Sequence, residues 1–391
     1  MLTFEELSLK PEIIKSLTEM GFKSPSPIQE RAIPPILEGR DIIALAQTGS
    51  GKTAACAIPV CDRVDTSKTY IQALIVVPTR ELALQYASEV QKIGRYRQVQ
   101  AYALFGGEDY ALQKAKLQHG VQVLVATPGR LIDYIYQRFI DLTNVTTLIL
   151  DEADEMLSMG FYDDIEFVIQ CLVHDHQTLL FSATMPGQIR HIASRHMKDP
   201  MEIILTSEQR SPSSIAHHFA YCDVRDRNHA LVGLLKRMAP KQSIVFCRSR
   251  AQVEQVCRLL RSSMDGVDFL HAGLSQDMRT TITGKFRSGR VRCLVATDVA
   301  ARGLDFSGIS HVFIYELTDD LDAYIHRSGR TGRFEKEGMV VSLVTSRELG
   351  LLDRVLKHID CEPIWEGDPP PPQAIRPPQA QKRRYPPRPR R

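Results

Sequence analysis

Residues 46–53 read Ala-Gln-Thr-Gly-Ser-Gly-Lys-Thr, a glycine-rich run that ends in Lys52 and Thr53. Such a run between a strand and a helix aims backbone N–H groups and a helix N-terminus at phosphate oxygens. Gly49 and Gly51 allow the tight path, Lys52 reaches the β- and γ-phosphates, and the Thr53 hydroxyl is offered to Mg2+. Ala46 stands where the general pattern has Gly and is small enough to fit. Further along, Asp151-Glu152-Ala153-Asp154 follows directly on the apolar run 145–150. A carboxylate at the end of a buried strand is costly unless it faces a cation or a ligand. Asp151 is therefore a candidate to hold the magnesium, directly or through water, and Glu152 to accept the proton of an attacking water. Residues 326–333 read His-Arg-Ser-Gly-Arg-Thr-Gly-Arg. Arg330 and Arg333 are candidates to meet charge developing on a γ-phosphate, with Gly329 and Gly332 letting the backbone approach closely. The chemistry implied is phosphoryl transfer from a nucleoside triphosphate to water.

These residues need a scaffold that puts loops side by side. Between residues 41 and 205, short apolar runs (42–46, 73–77, 99–104, 121–126, 147–150, 178–181) alternate with helix-period segments such as 81–93. That alternation predicts a parallel sheet covered by helices on both faces. It restarts after the polar stretch 206–214, with runs at 243–247, 267–270, 292–296, 311–315 and 339–344. The expected fold is α/β: two tandem parallel-sheet domains with a cleft between them. The expected division is a leading segment 1–30, domains at 31–205 and 215–365, and a linker at 206–214. From residue 368 the chain turns Pro- and Arg-rich, with almost nothing apolar to bury, and 366–391 is expected to be a disordered tail.

Composition narrows the class. The chain of 391 residues is 43% hydrophobic and 24% charged, as soluble globular proteins are. Its net charge of +3 is uneven: residues 366–391 carry seven Lys and Arg against two acids, a balance of +5 that leaves the first 365 residues at −2. The tail is expected to raise affinity for nucleic acid through its charge, the plainer reading being that it aids solubility. No apolar run is long enough to span a bilayer, and the N-terminus lacks a signal-peptide pattern, so a cytoplasmic monomer with no membrane contact is expected. The eight cysteines show no zinc-ligand spacing, and Cys247 and Cys293 read as reduced core residues.

Taken in order, the motifs resemble those of the DEAD-box ATP-dependent RNA helicases of superfamily 2, over residues 4 to 345. The compact core with a short basic tail is most like a bacterial general-purpose member. The resemblance implies two RecA-like domains with ATP and Mg2+ as cofactors. Residues 21–29, Gly-Phe-Lys-Ser-Pro-Ser-Pro-Ile-Gln, are similar to the adenine-reading segment. By that likeness Gln29 hydrogen-bonds the adenine edge, Phe22 packs on its ring and Phe4 is the upstream aromatic. The loop residues Ala46, Gln47, Thr48, Gly49, Ser50, Gly51, Lys52 and Thr53 hold the phosphates. Pro78, Thr79 and Arg80, then Gly106 and Gly107, then Thr127, Pro128, Gly129 and Arg130 hold the RNA backbone. Ser182 and Thr184, with Asp154 and His326, couple hydrolysis to strand separation. In the second block Arg250, Gly273, Gln276, Arg279 and Thr297 are implied on RNA, and Gly303 and Asp305 on the nucleotide. Ser249 stands where the family usually has Thr, and Ser328 where Ile is commoner.

Groups that face phosphates and sugars grip RNA without reading sequence. The expected function is an RNA-stimulated ATPase that clamps RNA across both domains, opens short duplexes locally and releases on hydrolysis. The alternative is an ATP-gated RNA clamp or annealing chaperone with little unwinding, which the intact Glu152, Arg330 and Arg333 disfavour. A DNA-directed motor is disfavoured only by the family's preference.

Overall fold

Short runs rich in Ile, Leu, Val and Ala, most of them four residues long, build the first sheet, and those in its middle are buried on both faces. In the strand Ala73–Val76 every residue is buried: Ala73 and Ile75 enter one core, while Leu74 and Val76 enter the core on the opposite face. Two-sided burial selects a continuous apolar run over an alternating one, and each such side chain contributes about 1.5–3 kcal/mol relative to exposure.

The structure, a computed structural model, describes residues 2–46, 49–205, 215–298, 309–332 and 337–371. Residues 206–214 and 372–391 and the site candidates Gln47, Thr48, Gly303, Asp305 and Arg333 lie outside the described residues, as does the side chain of Gln276. The chain divides into two compact units, meeting in sequence between residues 205 and 215.

The first unit is a seven-stranded parallel sheet: β1 (Ile42–Leu45), β2 (Ala73–Val76), β3 (Ala101–Leu104), β4 (Val123–Ala126), β5 (Thr147–Leu150), β6 (Gln177–Ser182) and β7 (Met201–Ile204), in the spatial order β3-β4-β2-β5-β6-β1-β7. The second unit repeats the plan with β8 (Ile215–Tyr221), β9 (Ser243–Phe246), β10 (Val267–Leu270), β11 (Cys293–Ala296), β12 (His311–Ile314), β13 (Gly338–Val344) and β14 (Ile364–Trp365), in the order β10-β11-β9-β12-β13-β8-β14. Both are the RecA-like α/β sheets expected from the sequence. Cys247 and Cys293 are buried, and burial pushes the Cys293 thiol up to about 12.

Three strands were not expected. β7 and β14 are edge strands: β7 leaves Glu202 and Ile204 exposed, and β14 has only two residues. β8 is hidden by its histidines. His217 is buried with Nδ1 at 2.9 Å from the Tyr324 hydroxyl, and His218 Nδ1 lies 2.7 Å from Glu366 Oε1. Glu366, the first residue of the expected tail, also pairs with Arg237, and its N–H donates to the Phe219 carbonyl.

Because all strands run parallel, all their carboxyl ends open on one edge of each sheet. The strand order then sorts the loops. In the first unit β3, β4 and β2 are neighbours and lead into Gly106–Gly107, Thr127–Arg130 and Pro78–Arg80. β5, β6 and β1 are neighbours and lead into Asp151–Asp154, Ser182–Thr184 and the 46–53 loop.

Candidate active site

The phosphate-type loop is held from outside. Gly49 and Gly51 sit at φ +88° and +96°, where side chains are strained. A Cβ on Gly51 would lie 2.7 Å from Gln29 Nε2 and 2.8 Å from Ser26 Oγ. Those two side chains grip the loop: Ser26 Oγ donates to the Ser50 carbonyl (2.8 Å) and Gln29 Nε2 to the Gly51 carbonyl (3.2 Å). Gln29 Oε1 in turn accepts from the Ser26 N–H (2.9 Å), closing a capping box on the helix Pro27–Leu37. Gln29 is thus buried and turned onto the loop, which leaves one lone pair and one hydrogen of its amide for anything else. Phe4 is buried edge-to-face against Phe22 at 6.0 Å.

Lys52 opens the helix Lys52–Arg63, and its buried Nζ donates to the Ala46 carbonyl at 2.9 Å. A carbonyl oxygen there is a partner that a phosphate oxygen can replace. Asp151 directly follows β5 and is buried, with Oδ1 accepting from the Glu152 N–H (2.8 Å). Burial pushes its carboxyl up to about 6, although the Lys52 ammonium pulls the other way. Glu152 takes a left-handed backbone (φ 53°, ψ 48°), an uncommon conformation for a residue with a Cβ, and caps the helix Ala153–Ser158. Asp151 and the Thr53 hydroxyl supply too few oxygens to enclose a cation, and no cluster of three or more His, Cys, Asp or Glu that could do so occurs among the described residues. Two protein oxygens suit magnesium, which keeps waters and takes phosphate oxygens for the rest.

Two residues beyond Glu152, Asp154 reaches the next loop. Its Oδ2 accepts from the N–H groups of Ala183 (3.2 Å) and Thr184 (2.9 Å) and from the Thr184 hydroxyl (3.0 Å). The Asp154 N–H donates to Ser182 Oγ (3.3 Å), so Ser182 and Thr184 are fixed to the acidic turn through one residue.

On the other half of that edge, Thr79 caps the helix Arg80–Ile93, accepting from the Leu82 N–H. Arg80 lies 4.2 Å over the Phe105 ring. Gly106, Gly107 and Gly129 are exposed, Thr127 is half-buried and Pro128 starts the helix Pro128–Tyr136. Arg130 does not stand open beside them. It is buried, with Nη2 donating to the Glu108 carbonyl (3.2 Å) and its guanidinium 4.0 Å over Tyr110.

In the second unit the RNA-assigned loops are gathered in the same way. β10, β11 and β9 are neighbours and lead into Gly273 and the helix Gln276–Arg287 that carries Arg279, into Thr297, and into Arg250, first residue of the helix Arg250–Arg261. The Gly273 N–H donates to Nδ1 of buried His271 (3.1 Å), whose Nε2 lies 3.1 Å from Glu254 Oε1. His326 is half-buried, and its carbonyl accepts from Arg330 Nε at 3.3 Å. Arg327, passed over in the sequence, makes a bidentate pair with Asp298 (2.6 and 2.7 Å) and a bond to the Glu316 carbonyl. It ties the arginine motif to the loop after β11. A Cβ on Gly338 would lie 2.3 Å from the Gly332 nitrogen, so β13 passes that motif with no room for a side chain.

The DEAD/DEAH box helicase family matches residues 26–192, and the helicase conserved C-terminal domain matches 226–335. The chain is 44% identical to the ATP-dependent RNA helicase CshA of Listeria monocytogenes over 352 residues, covering 90% of this chain and 68% of that one. It is 40% identical to CshA of Bacillus subtilis over 351 residues, covering 90% and 71%. Among solved structures, S. cerevisiae Dbp5 bound to RNA and ADP BeF3 superposes with TM-score 0.86 at 32% identity, over 93% of this chain and 95% of that one. The DEAD-box helicase Mss116 bound to ssRNA and UDP-BeF gives 0.86 at 29%, over 96% and 82%. On these grounds the chain belongs to the DEAD-box ATP-dependent RNA helicases.

Proposed function

We propose that this protein is an RNA-stimulated ATPase that grips the RNA backbone with both units, opens short duplexes locally and lets go when ATP is hydrolysed. The observation that carries this reading is the partition of the first unit's sheet edge. The loops with phosphate-type and acidic chemistry share one half in the first unit, where Asp154 ties the acidic turn to the 182–184 turn, and the loops assigned to RNA share the other.

In this mechanism the triphosphate enters the 46–53 loop, and Lys52 leaves the Ala46 carbonyl for the β- and γ-phosphates. Thr53 and Asp151 hold magnesium, which neutralises phosphate charge when bound. A water then attacks the γ-phosphorus, its proton passes to Glu152, and the bond from phosphorus to the β–γ bridging oxygen breaks, leaving ADP and phosphate. Arg330 and Arg333 of the second unit meet the charge on the transferred group, and Gly303 and Asp305 contact the nucleotide. RNA is held by Pro78, Thr79, Arg80, Gly106, Gly107, Thr127, Pro128 and Gly129 in the first unit and by Arg250, Gly273, Gln276, Arg279 and Thr297 in the second. ATP acts by favouring the RNA-gripping state, which requires that it bind that state more tightly than the open one. A strand bent to fit such a grip cannot stay paired, which opens the duplex.

The test is Glu152→Gln. It should bind ATP and RNA within about twofold of wild type while hydrolysis falls by at least about a hundredfold. RNA should then stay bound in the presence of ATP. Ready turnover in that variant would remove Glu152 from the mechanism. Gripping and hydrolysis without any duplex opening in the wild type would favour the RNA clamp.

A further inference from the structure

Gln113 belongs to none of the motifs, yet it is the one buried residue of the helix Tyr110–Gln118. Its side chain is 0% exposed and reaches under the loop between β3 and that helix. Nε2 donates to the Phe105 carbonyl (3.1 Å) and to Glu108 Oε2 (2.8 Å), and Oε1 accepts from Arg130 Nη1 (3.4 Å). Arg130 adds its bond to the Glu108 carbonyl from the same side and is covered by Tyr110, which stacks on Tyr134 at 5.4 Å. The two carbonyls held inward flank Gly106 and Gly107, which are exposed, Gly107 at φ +87°. A buried amide costs more than an aliphatic side chain unless its bonds are made, so this one does more than fill space.

We propose that Gln113 is a positioning residue for RNA. By holding the Phe105 carbonyl and the Glu108 carboxylate, and by orienting Arg130 against the Glu108 carbonyl, it turns the Gly106–Gly107 backbone toward the sugar-phosphate chain. Arg130, expected from the sequence to hold phosphate, serves as the buried partner of Gln113. The proposal rests on the reading that the 106–107 loop holds RNA.

The test uses the full chain and steady-state ATP hydrolysis, with ATP affinity and thermal midpoint measured alongside. Gln113→Ala should raise KM for single-stranded RNA about tenfold, with kcat and ATP affinity within twofold. Gln113→Glu, which keeps the acceptor for Arg130 but loses both donations, should do the same. Gly107→Ala strains the loop without touching Gln113 and should also raise KM for RNA. If Gly107→Ala raises KM while both Gln113 variants keep the wild-type value, the positioning role is overturned and the loop reading stands. If none of the three changes KM, both fall. The salt dependence of RNA binding tests Arg130 separately. Arg130→Gln should weaken binding without changing the slope of log affinity against log salt. A slope shallower by about 0.7 would mark Arg130 as a phosphate ligand and contradict the proposal.

Discussion

Asp154 Oδ2 accepts hydrogen bonds from both the N–H (2.9 Å) and the hydroxyl (3.0 Å) of Thr184. Asp154 lies two residues from Glu152, so a shift of the acidic turn on loss of the γ-phosphate is carried to the 182–184 turn through direct bonds. Thr184→Val removes the hydroxyl bond and keeps the volume. ATP hydrolysis should stay within about threefold of wild type, while duplex opening slows about tenfold, in line with one hydrogen bond to a charged group. A proportional fall in both rates would show that this contact does not couple them.

Gln29, expected from the sequence to read the base, grips the Gly51 carbonyl and the Ser26 N–H and so shapes the 46–53 loop itself. Gln29→Ala should therefore weaken ATP binding about tenfold as well as relax the preference for ATP over GTP. Calorimetric titration with both nucleotides separates the effects. A changed preference with unchanged ATP affinity would restrict Gln29 to the base.

His217 supplies a pH dependence in the second unit. Burial, with the neighbouring His218 adding to it, pushes its imidazole down from 6.5 to about 4. Between those values the folded chain binds fewer protons than the unfolded one. The stability is therefore fully present above about pH 6.5 and is lost as pH falls toward 4, by up to about 3 kcal/mol. Trp365, the one tryptophan, lies 6.2 Å from Phe219 on the same strand as His217 and reports this unit. Unfolding followed by its fluorescence should show the loss, and His217→Gln should flatten it. An equal slope in both proteins would assign the effect elsewhere.

Much of this was legible in the chain because parallel strands buried on both faces must read as short apolar runs, and because loops that meet phosphates need small residues. β8 was not, since His217 and His218 break the apolar run and find partners in Tyr324 and Glu366, more than a hundred residues away. Arg327 belongs to the same Arg-x-Gly repeat as Arg330 and Arg333, and what sets it apart is its carboxylate partner, Asp298, which is remote in sequence. Gln113 sits on a helix with little apolar patterning, so nothing local marked it as buried. Arg130 was placed by its motif, but the motif does not say which way the side chain turns. Its direction is set by Gln113, Glu108 and Tyr110.

ATP hydrolysis by the full chain, with and without single-stranded RNA and with DNA of the same length as control, addresses the central claim most directly. Turnover should rise strongly with RNA and stay near its basal level with DNA. Equal stimulation by DNA, or hydrolysis indifferent to nucleic acid, would contradict an RNA-driven cycle.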